Sequence, residues 1–385
     1  MKPILRFKNF DNNWQEIELS KITSEISYGM NSASKEFDGE NKYIRITDID
    51  ETTNKYLNTD IVSPDGNLED KYIVRKNDIL FARTGASTGK TYLYNSNDGK
   101  LYYAGFLIKA SIINHDANFI FQQTKTGKYN NWVKIMSMRS GQPGINSQEY
   151  GSYKFSITTL KEENKISSFL SLLDKKLELQ SKKIEDLKLF KKGLLEKEFS
   201  KNYSEINLTK ILKERKLYSE KGLEYPHVTL SKDGIYDKSE RYDRDFLVKS
   251  NDKQYKITKL NDLCYNPANL KFGVICLNEY GSAIFSPIYV TFEINKSANP
   301  LYIKYYTTRN NFINAVRKYE QGTVYERMAV SPEDFLKFSI KLPSIEIQNK
   351  IVNKFELLDK KIKLEQSKLD KINALKKGLI QSMFI

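Results

Sequence analysis

The run "GASTGKT", Gly85 to Thr91, is the stretch of this chain most like a phosphate cradle. A nucleotide-binding P-loop needs four residues between its first Gly and its Gly-Lys pair, so that backbone amides can circle the phosphates. Here three residues separate Gly85 from Gly89. The run reads instead as a flexible loop bringing Arg83 and Lys90 toward the phosphate of a nucleic acid. "PDGNLEDK", Pro64 to Lys71, orders Asp65, Glu69 and Lys71 as some nucleases do. The gap after Asp65 is too short for a strand-turn-strand to converge the three groups on one metal ion, so a polar surface turn is expected. "YNPANL" at Tyr265 is like an amino-methyltransferase loop but lacks its second proline, and no G-x-G-x-x-G cofactor loop occurs in the chain. The histidines are His115 and His227 and the cysteines Cys264 and Cys276, with no metal-ligand spacing among them. No nucleophile-base pair stands out, so the expectation is a chain without catalytic residues, a metal or a cofactor of its own.

The elements that would position any site announce themselves by repetition. "NKISSFLSLLDKKLEL" from Asn164 returns as "NKIVNKFELLDKKIKL" from Asn349. Asn164–Phe199 aligns with Asn349–Phe384 without a gap, and fifteen of the 36 positions are identical. Apolar residues step by three and four through each copy: Ile166, Leu170, Leu173, Leu177, Ile184 and Leu187, then Ile351, Phe355, Leu358, Ile362, Leu369 and Ile372. This is the seam of a long amphipathic helix with coiled-coil spacing, roughly 50–55 Å in length. Gln180, Lys191, Glu365 and Lys376 interrupt the seams at matching places, as register-fixing polar residues do. Such a helix needs a partner. Either each copy lies on its own globular module or, the sharper reading, the two pair antiparallel about a pseudo-twofold axis.

The segments ahead of each helix match more loosely: "EIELSKI" from Glu16 with "EINLTKI" from Glu205, "YIRITDID" from Tyr43 with "YPHVTLSK" from Tyr225, and "NDILFAR" from Asn77 with "NDLCYNP" from Asn261. "KFSI" stands at Lys154 and again at Lys337. These β-branched and aromatic runs, punctuated by Gly, Asn and Asp, read as strands with turns. Short helices are expected around 119–134 and 301–319. The expected fold is thus α/β (α+β): a globular module over 1–160, a long helix over 161–200, a similar module over 201–343 and a second long helix over 344–385.

A length of 385 residues suits two or more cores. The formal charge of +14 points to a polyanionic partner, and the helical segments hold half of that excess in about a fifth of the chain. The modules are only mildly basic, better suited to reading base edges than to coating a phosphate backbone. No signal peptide or membrane-spanning run is apparent, so a soluble cytoplasmic protein is expected, with no membrane partner.

The chain resembles the specificity subunit of type I restriction–modification enzymes. The resemblance covers essentially the whole length and rests on the module-helix-module-helix order with "NDILFARTGASTGKTYLY", "SGQPGINSQEYGSYKFSI" and "LPSIEIQNKIVNKFELLDKKI". The first helix departs from the pattern at its entry, with Thr159-Leu160 and Glu163 where the second has Leu342-Pro343 and Gln348. The resemblance implies two target-recognition domains, each reading half of an asymmetric bipartite site on double-stranded DNA. It also implies helices that form an antiparallel spacer and dock two methyltransferase (modification) subunits. S-adenosylmethionine would sit on those subunits, and ATP and Mg on restriction/motor subunits joining the assembled complex. Candidate DNA contacts, chosen as loop-borne donors, are Lys42, Arg45, Arg83, Lys90, Arg139 and Gln142 in the first module. In the second they are Lys232, Arg241, Arg244, Lys271, Tyr325 and Arg327. The alternatives are the recognition subunit of a related enzyme that cuts beside its site, or a non-DNA scaffold whose helices dock two proteins. The target sequence and gap length are not written in any motif.

Overall fold

The computed structural model describes residues 2–138, 142–220, 224–238, 254–319 and 329–384. In chain order the described α-helices are α1 (Ala117–Gln123), α2 (Gly127–Met136), α3 (Ser147–Ser152), α4 (Leu160–Phe199), α5 (Pro300–Thr307), α6 (Asn310–Val316), α7 (Pro332–Leu336) and α8 (Ile345–Met383). The two long ones, α4 of 40 residues and α8 of 39, coincide with the two copies of the repeat. The short pairs α1–α2 and α5–α6 fall where short helices were expected. Two compact units emerge, Met1–Ser181 with Ser367–Ile385 and Lys182–Gln366. Each long helix therefore contributes one part to each unit.

In the first unit a four-stranded antiparallel sheet runs in the order Thr23–Tyr28, Leu107–Ile112, Asp78–Ala82, Thr91–Leu93. The strand Asp78–Ala82 is buried along its whole length, as a continuous apolar run at an inner position should be. The second unit repeats the plan with Leu212–Glu214, Val290–Ile294, Leu263–Tyr265 and Ile275–Leu277. The entry to the inner strand is also built twice. Asn77 (φ 73°) and Asn261 (φ 68°) both take the left-handed conformation that asparagine tolerates better than most residues. The next residue turns its carboxylate back in each case. Asp78 accepts from the Arg75 amide (2.7 Å) and the Ser111 hydroxyl (2.6 Å), and Asp262 from the Lys259 amide (2.8 Å) and the Thr291 hydroxyl (3.2 Å).

A two-stranded sheet closes each unit, Gln15–Glu18 with Lys154–Ile157 and Glu205–Asn207 with Ser339–Lys341. Its register corrects one reading. Ile17 lies opposite Phe155 whereas its counterpart Ile206 lies opposite Ile340, so the two "KFSI" strings are offset by two residues and are not structural equivalents. The small third sheets diverge. Lys42–Ile44 pairs parallel with Leu101–Tyr103, whereas in the second unit a single parallel bridge, His227 to Ile284, leads into a hairpin of Val228–Ser231 and Gly234–Asp237.

Each unit seats parts of both long helices in its own core. In the first, Ile166 and Leu170 of α4 and Ile380, Met383 and Phe384 at the end of α8 share a cluster with Trp14, Phe119 and Phe155. In the second, Phe199 at the end of α4 lies against Tyr302, Tyr306 and Phe355 at centroid distances of 5.1, 5.1 and 6.4 Å. The helices run antiparallel within that unit, since Lys183 meets Glu365 (3.1 Å) and Lys191 meets Asp359 (2.5 Å). In the first unit Lys376 meets Asp174. Asp174 and Asp359 are repeat partners, as are Lys191 and Lys376, so one ion pair is built twice. All twelve seam residues are buried or half-buried.

Candidate nucleic-acid interface

The first unit converges at the end of its inner strand, where Ala82 gives way to Arg83. The Arg83 amide donates to the Phe106 carbonyl (3.0 Å), and its carbonyl accepts from the Ile145 amide (2.9 Å). Thr84 bridges antiparallel to Gly144, and the Gly85 amide donates to the Pro143 carbonyl (3.0 Å). Gly85 (φ 76°) and Gly89 (φ 90°) turn the loop back, and a Cβ on Gly89 would stand 2.4 Å from a Val133 methyl. The Tyr150 hydroxyl donates to the Ala82 carbonyl (2.7 Å) and accepts from the Gly89 amide (3.1 Å). "GASTGKT" is therefore a loop tied down at both ends. Its Gly89 amide is taken up by the protein and does not line a cradle.

That packing revises several candidate contacts. Lys90 turns inward, donating to the Ile49 carbonyl (2.9 Å) and pairing with Glu51. Arg45 is held bidentately by Asp48 at 2.9 and 2.8 Å, which raises its already high pKa. Lys42 reaches the Asp98 carbonyl at 2.7 Å. These three are tied to the unit's own groups. Arg83 remains. Its guanidinium lies 4.7 Å from the centroid of the Tyr28 ring, with Nη1 3.4 Å from the Gly105 carbonyl. Gln142 is exposed, its amide nitrogen over Gly85. Arg139 lies outside the described residues.

In the second unit the position after the inner strand is different. Asn266 caps a short 3-10 helix, Pro267–Phe272, by accepting from the Ala268 amide (3.1 Å), and Pro267 stands where the first unit has Arg83. The correspondence is fixed by the next contact: Val330 donates to the Pro267 carbonyl as Ile145 does to that of Arg83. Lys271 is exposed beside the exposed Phe272 ring (5.2 Å), and Lys232 is exposed at the hairpin turn. Arg241, Arg244, Tyr325 and Arg327 lie outside the described residues.

Other groups have structural uses. Cys264 and Cys276 face each other across paired strands as free buried thiols, and burial pushes Cys264 up to about 12. His115 Nδ1 lies 2.9 Å from the fully buried Glu163, which also accepts from the amides of Asp116 (3.1 Å) and Thr158 (3.1 Å). Its counterpart Gln348 accepts from the Asn299 amide at 2.7 Å. Asp116 and Asn299 cap α1 and α5, so the two helix entries do one job with different residues. Among the described residues no group of three His, Cys, Asp or Glu could hold a metal, and no helix is long and apolar enough to cross a membrane.

Sequence reading missed a second stripe on the long helices. Leu172 and Leu357 are 68% and 67% exposed, and Leu179, Leu364, Phe190 and Leu375 are exposed as well. Leu357 and Phe190 line a shallow groove in the second unit with Leu194, Leu358, Lys354 and Lys361. The signal was available: Leu172/Leu357 and Leu179/Leu364 are among the fifteen identities, though off the seam.

Two units with one framework and unlike loop residues at the matching edge define a class of protein, a duplicated scaffold whose two copies differ at that edge. Residues 12–189 match the family described as "Type I restriction modification DNA specificity domain". Over its whole length the chain is similar in fold to the S subunit of a type I restriction–modification system from M. genitalium (14% identity, TM-score 0.57, 100% of this chain and 99% of that one). It is also similar to a chain from work on complex assembly and conformational transition of the type I R-M system (13% identity, TM-score 0.60, 96% and 97%). That family match spans residues 12–189, which take in the sheets of the first unit and most of α4.

Proposed function

We propose that the chain is the specificity subunit of a type I restriction–modification complex. Each unit reads one half of an asymmetric bipartite site on double-stranded DNA, and the paired long helices set the spacing between the halves. The observation that carries this is duplication with divergence. The Asn-Asp entry to the inner strand is the same in both units, while the residue at its exit is Arg83 in one and Pro267 in the other. A framework kept while its reading edge changes suits two unlike half-sites.

The exposed leucine stripe supports docking of two methyltransferase subunits, one for each copy. Apolar side chains repeated on a charged helix suit a helical partner surface, with lysines such as Lys354 and Lys361 at the rim for its acidic residues. S-adenosylmethionine then belongs to those subunits, and ATP and Mg to the motor subunits that join them. The chain itself contributes recognition and assembly.

The test is a genome-wide map of N6-methyladenine in cells with and without the gene. A two-part motif with an unread gap should vanish with the gene. Methylation that persists at the same sites, or that follows no motif, overturns the proposal.

A further inference from the structure

Arg83 differs from Arg6, Arg45, Arg215 and Arg309 in what holds it. Arg6, Arg45, Arg215 and Arg309 are each neutralised by a carboxylate, those of Glu162, Asp48, Asp262 and Glu196. Arg83 has a ring and a carbonyl oxygen as its partners among the described residues. Both supports are tied to their neighbours. Tyr28 ends a strand, and its hydroxyl accepts from the Ser147 amide at 3.1 Å. At Gly29 the chain crosses the next turn so closely that a Cβ would stand 2.2 Å from the Ala104 carbonyl oxygen. The Gly105 amide donates back to the Met30 carbonyl (2.8 Å), fixing the carbonyl-bearing turn. Beyond it Phe106 is 63% exposed, so the platform opens to solvent with an aromatic at its rim.

A guanidinium held over an aromatic face is positioned by that face while its remaining N–H donors stay available. With no carboxylate to satisfy them among the described residues, those donors suit a planar acceptor pair, and guanine offers one in O6 and N7 of the major groove. A phosphate would also attract Arg83, but a freely rotating Lys would serve it as well and would need no ring to position it.

We propose that Arg83 is a specificity-determining residue that reads a guanine in the half-site of the first unit, with Tyr28 as the positioning residue. This rests on the reading of that unit as a DNA-recognition module. The test expresses Arg83→Lys, Arg83→Ala, Tyr28→Leu and Tyr28→Phe variants of the full chain with the cognate modification subunits and maps N6-methyladenine. In both Arg83 variants one G·C position of a single half-site should become degenerate, with discrimination falling about ten- to a hundredfold. The other half-site should be retained, which also reports an assembled complex. Tyr28→Leu should relax the same position, and Tyr28→Phe, which keeps the ring, should rescue it. If Arg83→Lys leaves the motif intact, or if the Arg83 variants weaken methylation of all sites alike, Arg83 contacts phosphate or nothing, and the inference falls while the recognition reading stands. If the wild-type chain directs no sequence-specific methylation, the recognition reading fails, and the inference with it.

Discussion

Lys125 shows how the first unit tolerates strain in a single charge. It sits at the end of α1 with its ammonium 4.3 Å from the Phe121 ring centroid, and burial pushes its pKa down to about 8. Lys376 lowers it further, Asp174 opposes the shift, and Lys55 adds to it. A lysine depressed in the folded state is penalised below that folded value, and the penalty is relieved as pH rises from about 8 toward its unfolded value near 10.4. Lys125→Met should therefore raise stability at pH 7, and the gap to wild type should narrow by roughly 1–3 kcal/mol by pH 10. Urea unfolding at several pH values reads this directly, and parallel profiles for the two proteins would refute it. No sequence feature singles out Lys125, because its environment is assembled from α1, α4 and α8. Lys90 teaches the same lesson in reverse. Its Gly-rich neighbours suggest an exposed donor, yet the closure of the loop on Tyr150 and Val133 turns it toward Ile49.

The long helices were legible because their signal is local and repeated, with spacing, length and polar interruptions all lying within 36 residues. Strand equivalence was legible where chemistry forced it, as at Asn77-Asp78 and Asn261-Asp262, and misleading where letters coincided, as in "KFSI". Pairing with Gln15–Glu18 or Glu205–Asn207 sets that register, and no short string records its partner. The seam was read without its exposed neighbour stripe, since one chain cannot say which apolar face a partner covers. What holds the helices in register is open to measurement. Lys376 is 11% exposed and faces Asp174, and the same pair recurs as Lys191 with Asp359, where the Tyr305 hydroxyl also donates to Asp359 at 2.8 Å. Lys376→Asp alone should place two carboxylates together and cost about 1–2 kcal/mol, with Asp174→Lys on the same chain recovering most of the loss. A thermal-melt double-mutant cycle with no coupling would mean that the pair lies in register without enforcing it.

Duplication shapes the molecule in a way that makes distance a testable quantity. Both compact units take their helical parts from α4 and α8 together, so a change of length in one helix alone would break the matched ion pairs. A change made in both, between Leu179 and Ile184 of α4 and between Leu364 and Leu369 of α8, would leave every residue of the two cores in place. One added heptad lengthens a helix by about 10.5 Å, close to three base pairs of a duplex that rises roughly 34 Å per turn. If the helices act as a spacer, the paired insertion should widen the unread gap by about three base pairs and leave both half-site sequences as they were. Inserting into one helix only should instead lower stability and abolish methylation. Methylome sequencing of the two insertion variants separates the cases. A half-site that changes while the gap stays constant would mean that the helices tune the reading surfaces themselves, and the spacer role would have to be given up.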